Sequence, residues 1–142
     1  MTAPADFAFL HPLRVRWSEC DAQGIVFNVN YFLYYDIAVW EWTRALGYGS
    51  WNEAPEFLTA HAECDFKGSA LFDDELKIGV RAARIGVKSL DCACAVFRGD
   101  TLLNVGKVTY IYVKKGTRET APLPEEYIDR LMRFERITPA RR

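Results

Sequence analysis

Glu19-Cys20-Asp21-Ala22-Gln23-Gly24-Ile25-Val26-Phe27-Asn28-Val29-Asn30-Tyr31 is the segment on which the reading of this chain turns. A carboxylate, a glycine suited to a turn and the start of a helical pattern follow one another within it. Upstream, Leu13, Val15 and Trp17 alternate with Arg14, Arg16 and Ser18, which predicts a strand from Leu10 to Ser18. Downstream, Tyr31, Tyr34, Tyr35, Ala38, Trp42, Ala45 and Leu46 recur at helical spacing, and Gly47 supplies a C-terminal stop. Asn30 is the N-cap candidate, which leaves Asp21 outside the helix. Two readings of Asp21 then compete. It is a turn or cap residue, or it lies beside free backbone N–H groups that would stabilise charge developing on a carbonyl oxygen.

The helix spans about 16 residues, roughly 24 Å at the usual rise. Phe32, Val39 and Trp40 make its remaining sides apolar, so burial on most faces is expected. After a Trp51–Glu56 connection, Leu58, Ala60, Ala62, Cys64 and Phe66 alternate with Thr59, His61, Glu63, Asp65 and Lys67. That pattern predicts a long half-buried strand with the first set facing inward. A turn at Asp73-Asp74 leads to Leu76, Ile78, Val80 and Ala82. Leu90, Cys92, Cys94 and Val96 give the next strand, Gly99-Asp100 a hairpin turn, and Leu103 to Val113 the last. Pro122 and Pro124 open a short helix from Glu125 to Phe134. One long helix set apart from meandering strands predicts an α+β fold in a single domain, residues 1–142.

A net charge of −1 offers no general attraction to nucleic acid or to an anionic membrane. No stretch approaches the roughly 20 apolar residues of a membrane-spanning helix, and no signal peptide is visible, so a cytoplasmic location is expected. The four cysteines, Cys20, Cys64, Cys92 and Cys94, form no C-x-x-C pair and read as small buried residues. With only His11 and His61 to assist them, no metal site is expected. Four tryptophans exceed what a small two-layer domain places inside, which predicts self-association through a sheet edge or face.

The pattern D-x-x-G-x-V-aromatic-x-x-N-Y from Asp21 to Tyr31, followed by an aromatic helix ending at Leu46-Gly47, resembles the 4-hydroxybenzoyl-CoA thioesterase family. Asp65-Phe66, Phe72-Asp73-Asp74 and Lys88-Ser89 add to the likeness, which covers Leu13 to about Val113. The resemblance implies a hotdog fold, a long central helix wrapped by a five-stranded antiparallel sheet and paired across subunits as a dimer or tetramer. It implies hydrolysis of an acyl-CoA without a cofactor, CoA being part of the substrate. Asp21 matches the family's catalytic carboxylate, as nucleophile or general base. Gly24 matches its turn glycine, and the Asn28 backbone N–H matches the group that binds the thioester oxygen. Asp36 matches a helix carboxylate facing the substrate's ring hydroxyl, and Lys88, with Arg84, matches basic groups near the CoA phosphates. Phe27-Asn28 stands where a related branch, associated with the bacterial Tol-Pal system, has Tyr-His. The run before Lys88 is less basic than in the hydroxybenzoyl branch.

From the residues themselves, Phe27 and Tyr31 line an acyl pocket or belong to the core, and Asp36 is substrate-facing or paired with Arg44. His61 and Glu63 share one strand face and fit a polar sheet surface. A dehydratase would need His61 to act with a carboxylate. The sequence also allows an acyl carrier protein thioester as substrate, a short aliphatic acyl-CoA, or non-catalytic thioester binding.

Overall fold

The alternating segments become strands and the aromatic segment a helix, and each departure from expectation has a local cause. In the computed structural model, which describes residues 1–141, the order is β1 (Leu10–Arg14), α1 (Asn30–Ala45), β2 (Glu56–Phe66), β3 (Glu75–Ile85), β4 (Ser89–Arg98), β5 (Thr101–Val113), α2 (Glu125–Phe134) and a two-residue β6 (Ala140–Arg141). Across the sheet the order is β1-β3-β4-β5-β2, antiparallel throughout, and β6 adds a parallel pair to β3. This is the expected α+β hotdog arrangement, with a sixth short strand beyond the five foreseen.

Tyr31, Tyr34, Tyr35, Ala38 and Trp42 form the buried stripe of α1, packed over β3 and β1. Each fully buried aromatic removes about 150–250 Å² from water, roughly 4–6 kcal/mol of transfer free energy. Phe32, Val39 and Trp40 are only half-buried, and Leu33 and Asp36 are exposed. One chain therefore does not bury the helix on most faces. Gly47 ends it as foreseen, at φ +109. On the opposite face of the sheet, Phe7 from the N-terminal segment packs on Ala95 and Phe97.

Three expectations need correction. First, β1 stops at Arg14 rather than Ser18. Val15 N–H donates to Asp74 O (2.9 Å), and Trp17–Glu19 then form one 3-10 turn, closed where the Glu19 carboxylate accepts the Arg16 N–H (2.8 Å). Second, Asn30 is not the N-cap. It is the first helical residue, Val29 precedes it without a side-chain cap, and Asn30 Nδ2 donates to Glu19 O (2.8 Å). Third, the inward face of β2 changes phase. Thr59 pairs with Tyr110 but His61 with Thr109, so Ala60 is an extra residue, a β-bulge. Phe57 and Thr59 face the helix before it, and Cys64 and Phe66 after it, while Leu58 is exposed.

Gly106 on β5 has a steric purpose. A Cβ there would collide with the Tyr35 ring and stand 2.8 Å from Glu63 O. Tyr35 donates to Asn104 Oδ1 and lies 3.3 Å from Cys64 Sγ, so its ring cannot easily withdraw. Gly106→Ala should destabilise the protein by about 1–3 kcal/mol, the usual cost of overpacking a filled core. Urea unfolding monitored by circular dichroism measures this directly.

Candidate active site

The Asp21 loop is a tight reversal. Gly24 N–H donates to Asp21 O (3.0 Å), Asp21 N–H donates to Ile25 O (2.9 Å), and Gly24 sits at φ +77. This is a tight turn closed by a left-handed glycine, a conformation in which a side chain would be strained. Asp21 Oδ1 accepts the Gln23 N–H (2.8 Å), so the turn reading of Asp21 is correct as far as that oxygen goes. Among the described residues, Oδ2 has no hydrogen-bond partner, and the carboxylate is partly exposed.

Beneath the loop lies a residue that sequence reasoning passed over. Glu19 is 5% exposed. Its carboxylate accepts the Arg16 N–H (2.8 Å), the Arg16 guanidinium (2.7 and 3.0 Å) and the Tyr34 hydroxyl (2.9 Å). Burial pushes its pKa up, yet the Arg16 bonds and the Tyr34 hydroxyl outweigh that and hold it below the ordinary range. Its carbonyl accepts from Phe27 N–H (2.9 Å) and Asn30 Nδ2, tying the loop to the start of α1. The available signal was the three-residue spacing of Arg16 and Glu19, which suits a reciprocal turn closure.

At the helix start, the amide N–H groups of Asn28 and Val29 meet no acceptor among the described residues. The side chains of Phe27 and Asn28 are exposed, and Tyr31 is buried, its hydroxyl accepting the Ala70 N–H (2.9 Å). Tyr31 therefore pins the loop after β2 more than it lines a cavity.

The other predicted residues sit elsewhere. Asp36 lines a cavity of about 170 Å³ between α1, β2 and β5, walled by Trp40, Trp51, Phe57, Tyr110 and Tyr127. Asp36 is its one ionisable acid or base apart from the two phenols. Arg84 is held by the buried Asp91 (2.9 Å), which also accepts from Thr109 Oγ1 (2.7 Å). Lys88 is exposed at the β3–β4 turn, 3.4 Å from Thr120 Oγ1. His61 and Glu63 pair at 2.8 Å on the face of β2 turned away from α1, both about half exposed.

The predicted site thus divides in two. Tyr31, at the helix start that follows the Asp21 loop, packs on Phe66, which pairs with Asn104, and the cavity lies by Tyr110. Six residue steps along β5 separate Asn104 from Tyr110, about 20 Å. Lys88 is farther still, bonded through its carbonyl to the Tyr112 N–H. Among the described residues no three His, Cys, Asp or Glu side chains gather as a metal would require.

Comparison with known proteins gives the family and the fold. A putative esterase of Aquifex aeolicus is 27% identical over 124 residues, covering 85% of this chain and 95% of that protein. A thioesterase from Thermus thermophilus, crystallised with coenzyme A and zinc, superposes with a TM-score of 0.82 at 26% identity, over 92% of this chain and 96% of its own. A thioesterase superfamily protein from Jannaschia sp. CCS1 shares the fold, with a TM-score of 0.86 at 20% identity over 96% of this chain and 99% of its own. The thioesterase-like superfamily model matches residues 15–131. The chain belongs to the thioesterase-like superfamily, and thioester hydrolysis is its class of chemistry.

Proposed function

We propose that the protein hydrolyses an acyl-CoA with a small, ring-sized acyl group, and that each active site is built from two copies of the chain. The observation that carries this reading is the separation of the Asp21 loop from the aromatic cavity. A carboxylate that far from its acyl pocket does nothing, so a second copy must bring them together. β2 is suited to that task. It is an edge strand of 11 residues whose middle is exposed on both faces. Such an edge is a template for another strand. Antiparallel pairing of β2 with its two-fold mate sets the Phe66 end of one copy beside the Glu56 end of the other. The Asp21 loop of one chain then faces the cavity of its neighbour.

In that arrangement the free oxygen of Asp21 attacks the thioester carbonyl or activates water. The Asn28 N–H, unpaired at the helix start, receives the developing oxyanion. Thiolate is a good leaving group and needs little acid assistance. Asp36, alone among aromatic walls, accepts a hydrogen bond from a ring hydroxyl, which favours a hydroxybenzoyl-like group. Lys88, with Arg84 to the extent that Asp91 releases it, meets the CoA phosphates. The Thermus thioesterase bound to coenzyme A supports CoA as the carrier.

CoA release should be measured from aromatic and aliphatic acyl-CoAs and from acyl carrier protein thioesters, with native mass determined in parallel. Turnover of hydroxylated benzoyl thioesters by a dimer or tetramer is expected. Asp36→Asn should lower kcat/KM for the hydroxylated ring about tenfold more than for unsubstituted benzoyl-CoA, the value of one hydrogen bond to a charged group. A catalytically active monomer, or turnover confined to carrier-protein thioesters, would overturn the reading.

A further inference from the structure

We propose that Trp51 is an end wall that limits the length of the acyl group, and that Lys115 is the positioning residue that holds it in place. The inference rests on the cavity beside Asp36 being the acyl pocket. At about 170 Å³ it is close to the volume of roughly 150 Å³ that accepts a benzene ring in an engineered core. A space of that size suits a ring better than an extended eight-carbon chain. The wall that closes it is unusual, because every other aromatic in the lining stands on a helix or strand. Trp51 alone comes from the connection between α1 and β2.

Trp51 also lines a second, more open groove of about 610 Å³, which runs along Glu56, Leu58, Lys115 and Arg118. It is the one residue the two spaces share. Its indole packs on Trp40 with ring centroids 5.4 Å apart, yet half its surface stays exposed. It is therefore a partition, with the cavity on one side and the open groove on the other.

Lys115, in the turn that follows β5, holds that partition. Its ammonium stands 4.1 Å from the centroid of the Trp51 ring and donates to Ala54 O (3.0 Å) and to Trp51 O. Three contacts from one side chain bind the connection to the sheet. A cation over an indole face adds to the two charge-assisted hydrogen bonds. Both residues act on the acyl pocket and not on the attacking carboxylate, so their effect should fall chiefly on which acyl group is accepted.

The test is a chain-length profile. kcat/KM would be measured for butyryl-, benzoyl-, hexanoyl-, octanoyl- and decanoyl-CoA with wild type, Trp51→Ala, Trp51→Phe, Lys115→Met and Lys115→Arg. Wild type should prefer benzoyl-CoA. Trp51→Ala should raise the octanoyl-to-benzoyl ratio at least about tenfold, the scale of one methylene newly admitted to an apolar pocket. Trp51→Phe should give a smaller shift in the same direction, and it carries the test if the alanine variant does not fold. Lys115→Met should also shift the ratio, and Lys115→Arg, which keeps the cation, should restore it. A Trp51 variant that slows every substrate by one factor overturns the proposal, as does a wild type that already prefers octanoyl-CoA. Absence of turnover with any thioester is a different result: it removes the thioesterase reading, and this inference with it.

Discussion

Replacing Asp21 by asparagine should lower kcat by roughly 10²–10⁴-fold, the usual contribution of a general base, while the protein stays folded. Asparagine is the informative substitution because Asp21 has two jobs on two oxygens. Oδ1 accepts the Gln23 N–H and helps set the turn. An amide oxygen can take over that bond, and asparagine is at home in such turns. What it cannot replace is the negative charge and basicity of the unpartnered Oδ2. Thermal unfolding of the variant should therefore match wild type within about 1 kcal/mol, the net worth of one hydrogen bond. A loss in kcat with KM little changed would mark an interaction made in the transition state. Alanine in the same place removes both functions and could not separate them. If the asparagine variant turns over normally, Asp21 is only a turn residue, and Asp36 is the next carboxylate to replace.

How much of this was legible beforehand depends on how local each cause is. The helix from Asn30 to Ala45 and the strands β3, β4 and β5 follow from side-chain period alone, since one face of each is plainly apolar. The turn at Gly24 and the stop at Gly47 follow from the freedom of glycine at positive φ. The inward face of β2 was misread because a single extra residue, Ala60, reverses the phase of everything before it. No propensity marks that insertion; only the pairing with β5 reveals it. Glu19 was passed over for a similar reason. A glutamate between a strand-like and a helical segment looks solvated until Arg16, Tyr34 and Asn30 converge on it from three places in the chain. Asp21 and Asp36 were read as parts of one site, and their separation along β5 is a property of the sheet that no motif spacing records.

The stability of the protein should fall by about 3 kcal/mol as pH rises from 4.5 to about 7.5, because of a carboxyl that takes no part in the proposed chemistry. Glu135 ends α2 and is 8% exposed. β1 pairs with β3 only as far as Gly79, and β6 begins at Arg84, so the Ala82 amide on that edge meets no strand. Glu135 Oε2 fills the gap, accepting the Ala82 N–H (2.6 Å) and the Trp42 indole N–H (3.3 Å), while Oε1 is buried with no partner among the described residues. Burial is the dominant influence and lifts its pKa to about 7, although the Ala82 amide, the Trp42 indole and Arg81 pull the other way. In the unfolded chain the same group ionises near 4.5. Between those values the unfolded state has released a proton that the folded state still holds, so each step up in pH favours unfolding, and above both values the loss is complete. Moving the ionisation from 4.5 to about 7 corresponds to about 3 kcal/mol. Below pH 4.5 the slope reverses. Glu19 and Asp91 are held under the ordinary carboxylate range by their partners, and the stability they contribute is lost as falling pH protonates them. Urea unfolding of wild type should therefore show a stability maximum near pH 4.5. Glu135→Gln keeps an acceptor for Ala82 but cannot ionise, so its curve should be flat from 4.5 to about 7.5. Parallel curves for the two proteins would mean that Glu135 is ionised throughout, with an unseen partner at Oε1.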